Sequence, residues 1–333
     1  MPDNIATIAG KPAMMYSGEV PWHKLGTPLN QPATAAEAIR AASLDWNVVK
    51  RPLFFEHGSV KQPVLNRFGV IRDDLLKQAG PPPVLGIVGA EYKPLQNRDA
   101  FQWFDPIVGE GKAIYHTAGA LGDGERVWIL AKLPEDIQVV GDDIAKKFLL
   151  LSNSHDGSSS VQVKFTPIRV VCENTLTMAL NQGRGIRVPH TRNLAERLAA
   201  ARHALGIIEK RFDDITGDFR RIAAIQLNTD RLNLYVAKVF PTPANPDDER
   251  AMSRVLQSRK ESIRLFTEGL GNSKPLVRGT LWAAYNGIAE YVDHAMNYRN
   301  AERRLDTIWF GSGYLAKARA FRIAMENAGA WKN

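Results

Sequence analysis

Residues 146–192 read KKFLLLSNSHDGSSSVQVKFTPIRVVCENTLTMALNQGRGIRVPHTR, and this stretch decides the fold. A short apolar run near its start is followed by the polar, turn-rich residues 153–160. From Val161, apolar residues alternate with polar ones, which is the period of a strand with one buried face. Asn174 is a good N-cap, and apolar residues follow it at helical spacing. The stretch therefore predicts a strand, a hairpin loop, a long strand and a helix, and then a basic, glycine-rich loop at 183–187.

The residues before this stretch predict more strands, with a few helices among them. Thr34 is followed three residues later by Glu37, a spacing that predicts a capping box at the start of a helix. Asn97 is expected to cap a second helix. Further strands are predicted at 46–55 and 64–71, and a hairpin at 113–118 and 126–133. Short loops of Gly, Ser and Asp between strands favour antiparallel pairing, so the predicted fold class is α+β.

The pattern becomes helical from residue 193, where apolar residues recur at spacings of three and four. The predicted division is an α+β sheet domain at 1–190, with an antiparallel sheet and interspersed helices, and a mainly helical region at 191–333. The segment 241–246, which is rich in proline, is the clearest break within the helical region.

The length and amino-acid composition limit the classes of protein to which the chain can belong. The chain has 333 residues, 44% of them hydrophobic, so it can bury a core. No apolar run is long enough to cross a membrane, and the first residues lack the pattern of a signal peptide. The single cysteine excludes an intrachain disulfide and a cysteine-based zinc site. We therefore predict a cytoplasmic protein with no membrane partner.

Positive charge is concentrated towards the C-terminus. The formal net charge is +8, and residues 250–333 hold 14 Lys and Arg against 7 Asp and Glu, a net of +7. A regional excess of this kind suits a polyanionic partner. The alternative interpretation is a set of helix faces whose charges are simply solvated.

Four stretches carry a likeness to known sequences. They read SHDGSSSVQVKFTPIRVVCENTL (154–176), EYKPLQNRDAFQWFDPIV (91–108), GTLWAAYNGIAEYVDH (279–294) and WFGSG (309–313). Together they resemble the phage/plasmid-like protein family, a domain-of-unknown-function family of phages, prophages and conjugative plasmids. The resemblance implies a setting on a mobile element and carries no established reaction.

Basic residues of the central stretch are candidates for phosphate contacts. Lys164 and Arg169 lie at strand positions that should point away from the apolar face. A sheet with one basic face open to solvent is a common platform for single-stranded nucleic acid. Arg184 and Arg187 lie on the glycine-rich loop and Arg192 follows it; glycines permit close approach to a phosphate backbone, and arginines donate paired hydrogen bonds. The alternative is a linker with solvated charges.

These features predict a non-enzymatic protein of a mobile element that binds nucleic acid, with single-stranded DNA favoured, and acts in replication, recombination or DNA annealing. The hairpin-and-helix units at 113–133 and 148–181 are similar to the β-β-β-α units of single-strand annealing proteins, which is an analogy of fold only. We predict no cofactor and leave homo-oligomerisation open. One alternative is an enzyme of unknown reaction, with a site around His155, Asp156 and Cys172 or around Glu290 and His294. Another is a phage factor that binds other proteins.

An enzymatic site would use Cys172 as a thiol nucleophile, with His155 and Asp156 as its base and orienting carboxylate. Cys172 lies within an apolar strand run, where cysteine is usually buried and inert. The Asp-Gly pair at 156–157 is a strong turn signal. We therefore favour structural roles for all three residues.

A metal site would use one helix. Its candidate ligands are Asn286, Glu290, Asp293 and His294, which fall on one side of a helix predicted at 280–298. No second group of His and carboxylates accompanies them, so we predict no bound metal. Hydrogen bonding and charge pairing with Arg299, Arg303 or Arg304 is the favoured alternative.

Overall fold

The N-terminal part of the chain begins with short strands. The computed structural model describes residues 5–18, 20–21, 24–29, 32–77, 80–109, 113–169, 186–205, 209–297, 304–309 and 311–331. The first strands are β1 (Thr7–Ile8), β2 (Lys11–Pro12), β3 (Met14–Ser17) and β4 (Thr27–Leu29). Helix α1 (Ala35–Ala41) follows. The predicted capping box is confirmed, because the Thr34 hydroxyl accepts from the backbone of Glu37 while the Glu37 carboxylate accepts from the backbone of Thr34.

A small antiparallel sheet comes next. Its strands are β5 (Val48–His57), β6 (Val60–Arg72) and β7 (Gly86–Gly89), with β6 in the centre. Helix α2 (Asn97–Gly109) follows. The capping role expected of Asn97 is wrong: its side chain donates instead to the backbone carbonyls of Leu44 and Trp46.

Among the described residues, the largest sheet has eight strands. Its remaining strands are β8 (Ile114–Leu121), β9 (Arg126–Lys132), β10 (Ile137–Val140), β11 (Asp143–Ser154), β12 (Val161–Arg169) and β13 (Ile186–Val188). The order is β13-β12-β11-β9-β8-β3-β4, with β10 also paired to β11. The pairs β8–β9 and β12–β13 are antiparallel, whereas β3 and β4 are parallel. The predicted hairpin and the long strand from Val161 are confirmed.

The rest of the described chain is mainly helical. The helices are α3 (Leu194–Leu205), α4 (Glu209–Ala223), α5 (Thr229–Val239), α6 (Glu249–Glu268), α7 (Leu281–Glu290), α8 (Arg304–Trp309) and α9 (Ser312–Ala330). A π-helical turn, Tyr291–Ala295, continues α7. The fold is therefore α+β, as predicted. The helix expected from Asn174 lies outside the described residues.

The chain forms two compact units. Unit 1 comprises Met1–Pro134, Leu149–Lys164 and Arg184–Gly206, and unit 2 comprises Glu135–Phe148, Phe165–Gly183 and Ile207–Asn333. In unit 1, Phe101 and Phe104 of α2 and Tyr115 of β8 are fully buried. The Tyr115 hydroxyl lies 3.1 Å from the Asp105 carboxylate, and the Trp103 indole donates to the Leu198 carbonyl at 2.7 Å.

The core of unit 2 is aromatic. Phe219, Trp282 and Phe321 are buried, with the rings of Phe219 and Trp282 4.8 Å apart. The Trp282 indole donates to the buried carboxylate of Asp143 at 2.6 Å. Because a buried polar group is costly without a hydrogen bond, this contact holds the start of β11 against α7.

Candidate nucleic-acid interface

Two arginines on other strands of the large sheet lie close enough to Lys164 for their charges to act on it. Lys164 is on β12, and Arg187 is on β13, where it pairs with Gln162. Because paired residues share a face and side chains alternate along a strand, Lys164 and Arg187 project from the same side of the sheet. Arg126 begins β9, and the charges of Arg187 and Arg126 both act on Lys164. We call these three residues the cationic cluster.

Lys164 is the buried member of the cluster. Only 6% of it is exposed, and burial, together with the charges of Arg187 and Arg126, lowers the pKa of Lys164 to about 7. The open face predicted here is therefore wrong. Gln162, on the same face, and Val163, on the other, are buried too, because other elements cover both faces of β12. Arg187 is exposed and Arg126 is half-buried.

The burial of Lys164 makes stability depend on pH. An unfolded lysine holds its proton up to about pH 10, whereas folded Lys164 releases it near pH 7. Between these values the unfolded state binds more protons, so the stability of the wild type rises with pH.

Replacing Lys164 with methionine should remove this dependence. Between about pH 7 and about pH 9, the free energy of unfolding of the wild type should rise by about 2 kcal/mol relative to that of Lys164→Met. Urea unfolding at the two pH values measures the difference. The same change with pH in both proteins would show that Lys164 is not desolvated.

The other residues predicted to contact phosphates are Arg192, Arg169 and Arg184. Exposed Arg192 is ion-paired with Glu91, with 2.8 Å between Nε and Oε2. The hydrogen bond and charge of this pair raise the pKa of Arg192 and lower that of Glu91. An exposed pair of this kind contributes little, so a phosphate can compete for Arg192. Arg169 ends β12, but its side chain lies outside the described part of the structure, as does the whole of Arg184.

The structure thus brings together two predicted residues, Lys164 and Arg187, and adds Arg126. The guanidinium of Arg126 also donates to the Ser158 hydroxyl at 3.4 Å. The sequence signal for Arg126 is weak, because it is simply the first residue of a predicted hairpin strand. Its place near Lys164 follows from the strand order β12-β11-β9, which no local pattern contains.

His155 is a buried residue that begins the turn between β11 and β12, so the hairpin loop predicted here is confirmed. Its Nε2 lies 3.0 Å from the Asn97 side-chain oxygen, which can only accept a hydrogen bond, and 3.3 Å from the Asn153 amide nitrogen. Burial, and then the charge of His190, lower the pKa of His155 to about 3. An imidazole with so low a pKa is a poor general base at neutral pH.

Asp156 is engaged within its own turn. Its carboxylate accepts hydrogen bonds from the hydroxyls of Ser154 and Ser158 and from the backbone of Ser158. Burial raises the pKa of Asp156, but these hydrogen bonds outweigh it and lower the pKa overall. Gly157 takes a φ of +75°, as the Asp-Gly turn signal predicts. Cys172, the third member of the enzymatic alternative, lies outside the described residues.

The ligand-like set near α7 is occupied by protein contacts. The Glu290 carboxylate accepts from the Leu270 backbone at 3.0 Å, and Asn286 donates to the Trp282 carbonyl at 2.9 Å. The carboxylate of Asp293 is paired with Lys317 at 2.6 Å. In the described part of the chain, no group of three or more His, Cys, Asp or Glu side chains is placed to hold a metal ion.

The expected hydrogen bonding with an arginine near 300 is confirmed for Arg304, which donates to the backbone carbonyl of Asp293. The carboxylate of Asp293 is paired with Lys317 on α9, which was not predicted. Helical spacing within one element cannot reveal a partner on another helix. Arg299 and Arg303 lie outside the described residues.

Comparisons with known proteins give the family. Among the described residues, no helix has both the length and the apolar character needed to span a bilayer. No solved structure matches the chain. Residues 84–309 match the model of the family described as Domain of unknown function (DUF932), a match over more than half of the chain, and the protein therefore belongs to that family.

Proposed function

We propose that the protein binds nucleic acid, with single-stranded DNA favoured, and that the two accessible members of the cationic cluster, Arg126 and Arg187, contact its phosphates. The observation that carries this proposal is the gathering of Arg126, Lys164 and Arg187 from separate strands, close enough for the two arginines to lower the pKa of Lys164. Like charges brought together repel, and a bound phosphate relieves that repulsion while accepting charge-assisted hydrogen bonds.

One acidic residue near the cluster, Asp156, offsets part of this charge. Arg126 is one of the groups that lower the pKa of Asp156, but the Asp156 carboxylate already accepts hydrogen bonds from Ser154 and Ser158. Arg187 is exposed, and among the described residues its strand β13 lies at the edge of the sheet. A polyanion can approach this edge, with Arg192 as a further contact after release from Glu91.

The proposed setting follows from the sequence. The resemblance to proteins of phages and conjugative plasmids supports a role in replication, recombination or DNA annealing of a mobile element. In that role the protein is cytoplasmic, and nucleic acid is its partner. Assembly into a homo-oligomer along the strand is compatible with this role.

The dependence of binding on salt tests the phosphate contacts. For single strands, each contact contributes about 0.7 to the slope of log affinity against log salt. We expect the double variant Arg126→Gln, Arg187→Gln to flatten that slope by about 1.4 for a labelled oligothymidine. Fluorescence anisotropy across a salt series measures the slope.

The matched control removes two exposed arginines elsewhere in unit 1. The variant Arg40→Gln, Arg98→Gln loses the same net charge, and Arg98 is paired with exposed Asp45. This control should keep nearly the wild-type slope. Equal flattening in both variants would mean that the attraction is diffuse and that the cationic cluster is not the site.

A further inference from the structure

The hairpin of β5 and β6 extends beyond the third strand of its sheet. The strands pair as far as His57 and Val60, and Gly58 takes the positive φ that the tight turn requires (+62°). β7 pairs only with residues 67–70 of β6. Within the described part of the chain, residues 53–66 have no third strand, and we call them the arm.

The arm exposes large apolar side chains. These are Phe54 (50% exposed), Phe55 (49%), Val60 (53%) and Leu65 (80%). Phe54 and Phe55 are consecutive, and because side chains alternate along a strand, their rings lie on opposite faces of the hairpin. A two-stranded hairpin is only marginally stable by itself, and clustered apolar exposure marks a surface that binds something.

The same hairpin is positively charged. Residues 50–67 contain four Lys and Arg and one acid, Glu56, a net of +3. Arg51 and Arg67 are exposed. The ammonium nitrogen of Lys61 lies 5.0 Å from the centroid of the Phe54 ring. A cation beside an aromatic face can contact a phosphate while the ring stacks on the adjoining base.

We infer that the arm is a base-stacking element: Phe54 and Phe55 hold unpaired nucleobases, while Lys61 on the arm and Arg51 and Arg67 at its base contact the phosphates. This inference rests on the proposed function. It assigns the bases of the nucleic acid to the arm, because the cationic cluster contacts only phosphates. Bases within a duplex are already stacked, so the arm favours single strands. A second copy of the chain is the less suitable occupant, because residues 50–67 of each copy carry a net charge of +3 and two such hairpins repel each other.

The test separates the rings from the charges. We expect Phe54→Ala, Phe55→Ala to weaken binding of a labelled oligothymidine by about 30-fold or more. The salt slope should stay at the wild-type value, because every cation remains. Phe54→Tyr, Phe55→Tyr keeps both rings and should bind nearly as the wild type does. An abasic oligonucleotide, which has the phosphates without the bases, should bind the wild type about 30-fold more weakly than oligothymidine, or more weakly still.

A matched control on the arm is Val60→Ala, Leu65→Ala, which removes exposed apolar surface but no ring. It should keep wild-type affinity, and equal loss in both variants overturns stacking. Equal affinity of the wild type for oligothymidine and the abasic strand, with a steep salt slope, overturns the inference and leaves the proposed function standing. A change in sedimentation mass of the Phe variant without a change in DNA affinity makes the arm a contact between copies and overturns the inference as well.

Discussion

Replacing Lys317 with methionine should destabilise the protein by about 3–5 kcal/mol, since it removes the cation beside a buried carboxylate. The ammonium of Lys317 lies 2.6 Å from Asp293, and the two side chains are only 1% and 3% exposed. Burial lowers the pKa of Lys317 even though Asp293 acts in the opposite direction. Removing an ammonium group from water is unfavourable, so a buried lysine stays charged only when an opposite charge lies close to it. Thermal or urea unfolding measures the loss.

Helix α9 supplies the matched control. Arg322 is paired with Glu326 one turn away, and both side chains are more than half exposed. Arg322→Met should change stability by less than about 1 kcal/mol, because exposed pairs contribute little. The double variant Asp293→Leu, Lys317→Met should recover most of the loss, because no buried charge is left over. Wild-type stability in Lys317→Met would contradict the assignment of a buried ion pair.

Replacing Gly86 with alanine should destabilise unit 1 by about 3 kcal/mol, because the added methyl group has no space. A Cβ at Gly86 would lie 2.3 Å from the carbonyl oxygen of Asp156 and 2.4 Å from its Cα. These are backbone atoms of the turn at 155–157, so they cannot move aside as a flexible side chain would. The melting temperature measures the effect.

Gly89, in the same strand, is the control for this substitution. A Cβ there meets nothing within 4 Å, so Gly89→Ala should be neutral or slightly stabilising. An equal loss of melting temperature in the two variants would mean that the close approach of β7 to the Asp156 turn is not the cause.

The elements that the sequence predicts well are those determined within a few residues. The capping box of Thr34 and Glu37 needs only neighbours three residues apart. The hairpin of β8 and β9 depends on a turn where Gly122 and Gly124 take positive φ. In each case the decisive interaction lies within a window that a periodic pattern can cover.

Predictions failed where a distant element takes part. Asparagine often caps helices, but the side chain of Asn97 instead hydrogen-bonds to the carbonyls of Leu44 and Trp46 and to the ring of His155. Lys164 alternates with apolar residues along its strand, which predicts an exposed side chain, yet it is buried. Long-range packing overrides local preference at such sites.

The candidate site was also predictable only where local sequence determines it. Lys164 and Arg187 stand on neighbouring strands, and their basic character is visible in the sequence. Arg126 reaches them through the order of the sheet. The strands at 46–55 and 64–71 were predicted, but their pairing into an arm, with exposed Phe54 and Phe55, depends on where the third strand ends.

The most direct test of nucleic-acid binding uses the wild-type protein alone. It is a fluorescence-anisotropy titration of a labelled single-stranded oligothymidine, repeated from low to physiological salt. We expect binding at low salt that weakens linearly on a plot of log affinity against log salt, with a slope that corresponds to several phosphate contacts at about 0.7 each. Absence of binding at low salt, or an affinity that salt does not change, would contradict the proposal.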